Sequence, residues 1–107
     1  MTLEIQSAVA ATFAGHLNTK FRVVDQPGTE LELIEVDDGS KGRHISFSLQ
    51  FRGPQQPMLP QRIYALEHDA LGRFDLFIVP IERDAQGLKY QAVFNRVVET
   101  MAANGRA

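Results

Sequence analysis

The sequence predicts a mainly β fold with one N-terminal α-helix, its strands forming an antiparallel six-stranded barrel or sandwich. Three observations lead there. Residues 61–94 read as three antiparallel strands joined by two short turns of one pattern, Asp69-Ala70-Leu71-Gly72 and Asp84-Ala85-Gln86-Gly87. Ile45, Phe47, Leu49 and Phe51 alternate strictly with Ser46, Ser48, Gln50 and Arg52, the period of a half-buried strand. Before the first strand, Ile5, Val9, Phe13 and Leu17 recur every fourth residue, which lays one apolar stripe along a helix.

That stripe predicts a helix over residues 2–18, with Thr2 or Ser7 able to cap its start and Asn18 able to take the left-handed position at its end. His16 should be partly exposed near that end. A short strand over 21–24 follows, then a turn at Asp25-Gln26-Pro27-Gly28, where Pro fixes φ and Gly takes the awkward position. In the strand over 30–36 the alternation slips: Leu31 and Leu33 share one phase, Ile34 and Val36 the other. Either both faces are covered, or a β-bulge sits near Leu33 and Ile34. Residues 37–42 form a polar hairpin loop that has the acids of a calcium loop without its remaining ligand pattern.

Slipping the strand over 45–51 by one residue would put two Phe, an Ile and a Leu into water, at about 1.5–3 kcal/mol each, so its register is strongly specified. The next segment, with Pro54, Pro57 and Pro60, cannot donate a regular ladder and predicts an extended connection. The strand over 74–81 is apolar on both phases, Phe74, Leu76 and Ile78 on one and Phe77, Val79 and Ile81 on the other, which predicts a central strand covered on both faces. In each flanking turn the Asp carboxylate can accept from an amide two residues on, and the Gly can adopt positive φ. A last strand over 88–94 leads to a tail, 96–107, whose Val97, Val98 and Met101 suggest a helical turn or two packed on the sheet.

Composition bounds the function. A chain of 107 residues predicts a single domain over 1–107, with residues 21–95 forming the antiparallel β unit between helix and tail. Hydrophobic content of 44% and charged content of 22% are those of an ordinary globular protein. A net charge of -2 with scattered Arg residues argues against nucleic-acid or anionic-membrane partners. No Cys is present, which removes disulfides, thiolate metal sites and a Cys nucleophile. No apolar run reaches the roughly 20 residues of a membrane span, and residues 1–20 do not read as a signal peptide, so a cytoplasmic location is expected.

Candidate bases are limited to His16, His44 and His68. Glu67-His68-Asp69 is the most suggestive polar cluster, yet neighbouring strand residues point to opposite faces and do not converge on one ion. His44 would give a two-His site with His68 at best. No nucleophile elbow, P-loop, dinucleotide fingerprint or zinc-protease helix occurs. No enzyme activity, cofactor or metal is expected.

The run Phe47-Ser48-Leu49-Gln50-Phe51-Arg52-Gly53-Pro54, followed by Leu59-Pro60-Gln61, Tyr64-Ala65-Leu66-Glu67-His68, Leu71-Gly72, Phe74 to Pro80 and Ala92-Val93-Phe94-Asn95, resembles a family of small bacterial proteins classed as a domain of unknown function. Family members tend to carry Gly-Thr before the Tyr, where this chain has Arg62-Ile63, a departure that bears on the local turn. Such proteins look like companions of tail-collar or microcystin-dependent-type proteins, so the resemblance implies a role in assembling a phage-tail-like particle. It brings no catalytic residue with it. Most of the shared residues are structural, and the exceptions are Arg52, Glu67 and His68. Gathered beside the proline segment with Pro54, Pro57, Met58 and Leu59, they would make a polar patch with an apolar rim, fit to dock a protein. The expected function is therefore noncatalytic binding or assembly with a protein partner, a tail-collar-type protein or a second copy of the chain. The alternative is a small-ligand-binding β-barrel, which needs an interior cavity.

Overall fold

The computed structural model describes residues 8–56 and 58–97. Its elements are a short helix α1 (Ala10–Ala14) and six strands: β1 (Lys20–Val23), β2 (Glu30–Asp38), β3 (His44–Gly53), β4 (Arg62–His68), β5 (Gly72–Asp84) and β6 (Gly87–Val97). All neighbours are antiparallel, and the sheet closes in a ring in the order β1-β2-β3-β6-β5-β4. Closure is made by β1 against β4, where Arg22 pairs Glu67 and Val23 pairs Leu66.

One phase of every strand faces inward. Phe21 and Val23, Leu31 and Leu33, Phe47, Leu49 and Phe51, Tyr64 and Leu66, Phe74, Leu76 and Ile78, and Leu88, Tyr90 and Ala92 join one buried cluster. The strict alternation of β3 is observed with Phe47, Leu49 and Phe51 buried, while Ile45 at its start is only half-buried against the core. The slip in β2 resolves as a β-bulge: Leu33 pairs Phe51 and Glu35 pairs Gln50, leaving Ile34 as the extra residue.

The helix departs from expectation. It begins at Ala10, because Val9 is extended with φ -127 and ψ 172, and it ends at Gly15. Val9 has no side-chain acceptor for a cap; instead its own N–H donates to Thr12 Oγ1. Among the described residues of the expected stripe, Phe13 alone is buried, alongside Ala8 and Ala10, while Val9 and Leu17 are exposed. A helix this short presents one face for barely more than a turn, so Val9, Phe13 and Leu17 do not share a buried stripe. Ile5 and the proposed caps Thr2 and Ser7 lie outside the described residues, as do Val98 and Met101 of the expected tail. Asn18 does take the left-handed conformation, φ 66, at the entrance to β1. At the other boundary β6 runs on to Val97, past the expected end at Asn95.

The ring is closed at both ends. At one end Phe13 lies against the rings of Phe47, Phe74 and Phe94, with centroids 5.8–6.2 Å away. At the other, the chain leaves β3 at Gly53 and enters β4 at Arg62, strands on opposite sides of the ring, so the described residues 54–56 and 58–61 cross its mouth.

The two Asp-initiated turns differ in register. Asp84 pairs Gly87 across a two-residue loop, whereas His68 pairs Gly72 across three. Both glycines have positive φ, 82 at Gly72 and 136 at Gly87, as the pattern requires. Asp84 Oδ1 accepts from the Gln86 N–H at 2.9 Å, the expected turn bond. In the other turn His68, not Asp69, supplies the acceptor.

Candidate functional site

The expected docking residues do not form one patch. His68 and Leu59 are buried inside the ring, and Glu67 faces outward from β4, on the side of the ring opposite Arg52 of β3. Pro57 lies outside the described residues.

At the proline mouth the segment is strapped down. The Leu59 N–H donates to Tyr90 Oη at 2.9 Å, the phenol of Tyr64 donates to the Pro60 carbonyl, and Gln55 Nε2 donates to the Asp84 carbonyl at 2.8 Å. Leu59 is a buried plug rather than a surface residue, which leaves Pro54 and Met58 exposed. Arg52 is half-buried and bound to Asp84 at 2.9 Å. The Gln86 amide first, and the Arg52 guanidinium after it, hold the Asp84 carboxyl below the usual carboxylate range. Burial pushes the Tyr64 phenol up, keeping its proton on the bond to Pro60.

At the helix end His68 is buried at 5% exposure and fully engaged, and burial holds its ring below the ordinary imidazole range. Glu67 points outward to Arg22 at 3.8 Å, and Arg22 reaches Asp69 at 3.0 Å. His44 is exposed beside Asn95 on β6 and belongs to a strand opposite β4, so it shares no site with His68. The neighbour of His68 is His16, with ring centroids 5.0 Å apart. That pairing was hidden in the sequence because it depends on where the helix docks. Among the described residues no group of three or more His, Cys, Asp or Glu side chains is placed to hold a metal ion.

The exposed apolar surface lies elsewhere, on the outside of β4, β5 and β6. Ile63 and Phe77 are direct cross-strand partners, yet they are 61% and 49% exposed. Ile81, at the irregularity between Pro80 and Glu82, and Val93 on β6 are exposed as well, with Val79 half-buried on the same phase of β5. The strand expected to be covered on both faces is therefore covered on one. Its inner phase, Phe74, Leu76 and Ile78, fills the ring, and the described residues do not cover its outer phase. Single exposed apolar residues are ordinary on any protein, but a paired Ile and Phe continued by Val79 and Ile81 are a contiguous patch.

A groove of about 330 Å³ runs along the outside of β1, lined by Arg22, Val24, Pro27, Gly28, Thr29 and Glu67. It lies between the turn at 25–28 and the β4 edge, outside the ring. Inside, the packing is close: a Cβ on Gly53 would come within 2.8 Å of Leu31 Cδ2 and 3.1 Å of Tyr90 Cε1. No helix among the described residues is long and apolar enough to cross a membrane.

The family model for a domain of unknown function, DUF6916, matches residues 8–94. No curated protein and no solved structure matches the chain.

Proposed function

Since the chain belongs to the DUF6916 family, a domain of unknown function, its role has to be argued from its surface, and we propose that it is a noncatalytic binding protein that docks a protein partner through the outer face of β4, β5 and β6. The observation that carries this reading is the exposure of Ile63 and Phe77 as a cross-strand pair. Both side chains are about half exposed, so their incomplete burial forgoes roughly half of the ~1.5–3 kcal/mol that full burial of each would give, a loss that association with an apolar surface recovers. The polar surroundings, Asp75 beside Phe77 on β5 and the Glu82–Lys89 pair at 3.7 Å, give the rim that a protein interface needs.

The ligand-binding alternative has less support, because Phe21, Phe51, Tyr64 and Tyr90 occupy the volume that a ligand would need. Resemblance to companions of tail-collar-type proteins extends the proposal: the partner is a component of a phage-tail-like particle, assembled in the cytoplasm. Co-expression with a tail-collar-type protein, followed by size-exclusion chromatography, tests it. A complex with the native chain that is lost in a folded Ile63→Lys, Phe77→Lys variant is the expected result. A complex that survives those substitutions contradicts the assigned face, and no complex contradicts the assigned partner.

A further inference from the structure

His68 is the last inward-facing residue of β4, and both of its ring nitrogens are in use. Nδ1 accepts from the Ala70 N–H at 3.0 Å and the Leu71 N–H at 3.2 Å. A nitrogen that accepts from two amides carries no hydrogen, so in the neutral ring the hydrogen is on Nε2. Nε2 lies 2.9 Å from Thr19 Oγ1, and that hydroxyl donates onward to the His16 carbonyl at 2.6 Å. The bonds therefore run in one direction, from the imidazole through Thr19 to the residues that follow α1.

We propose that His68 is a proton-released latch: its neutral ring ties the segment between α1 and β1 to the β4–β5 turn, and protonation of Nδ1 releases that turn. The imidazolium has no acceptor to offer, so Nδ1–H would face the Ala70 and Leu71 N–H groups head on. The ring must then leave its seat, or two backbone donors lose their partner.

The surroundings set the pH at which this happens. His16 faces the ring from the end of α1, Arg22 stands beside it on β1, and Asp69 follows it in the turn; Gly72, opposite on β5, brings no charge. Phe21 packs on the ring at 4.4 Å between centroids. Burial is the strongest influence against the charged form, His16 and Arg22 add to it, and Asp69 opposes them. The latch is thus closed at neutral pH and opens on acidification to below the ordinary imidazole value.

Nuclear magnetic resonance on the full chain tests this. Near neutral pH the ring nitrogens should report hydrogen on Nε2, and the Ala70 and Leu71 amides should resist exchange. As the ring protonates, protection at both amides, taken relative to unfolded rates, should fall about tenfold for each unit by which proton affinity differs between closed and open forms. In His68→Asn the amide oxygen supplies an acceptor near the Nδ1 position and does not titrate, so protection should stay flat with pH. A hydrogen found on Nδ1, ring protonation that leaves both amides protected, or the same loss of protection in His68→Asn would overturn the proposal. If His68→Asn does not fold, the two measurements on the native chain decide.

Discussion

The Leu59 N–H donates to the phenol oxygen of Tyr90 across 2.9 Å, and this buried bond fastens the proline crossing to the wall of the ring. Tyr90→Phe removes the acceptor and little else. A buried amide left without a partner costs about 1–3 kcal/mol, and denaturant unfolding should show that loss as a lower midpoint at unchanged slope. A neutral substitution would mean that the crossing is not held there.

Glycines with positive φ should rank by what surrounds them. Gly42, φ 60, has open space where a Cβ would go, so Gly42→Ala should cost only the left-handed penalty of about 1–2 kcal/mol. Gly87, φ 136, would place its Cβ 2.2 Å from the Gly53 carbonyl oxygen, and backbone has to move. Gly87→Ala should therefore be the more damaging of the two in a thermal melt, and equal melting temperatures would contradict the packing described at this corner.

Arg52 and Asp84 form a half-exposed pair, so Arg52→Ala should lower stability by about 1 kcal/mol or less. A larger loss in denaturant unfolding would give the pair a structural weight that its exposure does not suggest.

Stability should decline on mild acidification. The fold favours the neutral form of His68, so the native ring takes up its proton at lower pH than the unfolded chain, whose histidine titrates near 6.5. Between those two values the unfolded state holds one more proton. The contribution is complete above about pH 6.5 and is lost as the pH falls toward the native value. Asp84 acts in a separate window: its stabilisation is present above its ordinary value of 3.8 and is lost below that. Unfolding midpoints at about pH 7.5 and about pH 5.5 should differ, the lower pH being less stable, and equal midpoints would contradict a neutral His68.

Local chemistry made much of this fold legible in the sequence. Alternation in β3 names its buried side chains, the phase slip in β2 marks the bulge at Ile34, and the turn glycines announce their positive φ. These features depend on residues a few positions apart. What the sequence hides depends on distant partners: the pairing of Arg22 with Glu67 that closes the ring, and the approach of His16 to His68. β5 shows the boundary between the two. Its two apolar phases are plain in the sequence, but periodicity reports which residues share a face and not what lies against that face. The candidate site is hidden for the same reason. Arg52, Glu67 and His68 are near one another in the motif, but closure of the ring sets β3 opposite β4, and the strand period turns His68 inward and Glu67 outward. The segment rich in proline resembles a free loop in composition, yet Tyr64 and Tyr90 bind it down.

The binding reading rests on one face. A photoreactive amino acid placed at Phe77, with a second placed at Lys41 on the β2–β3 loop as a control, reports what touches that face in the living cell. We expect one defined adduct from position 77, abolished by Ile63→Lys and absent from position 41. Equal labelling from the two positions, or an adduct indifferent to Ile63→Lys, would contradict a docking role for the outer surface of β4, β5 and β6.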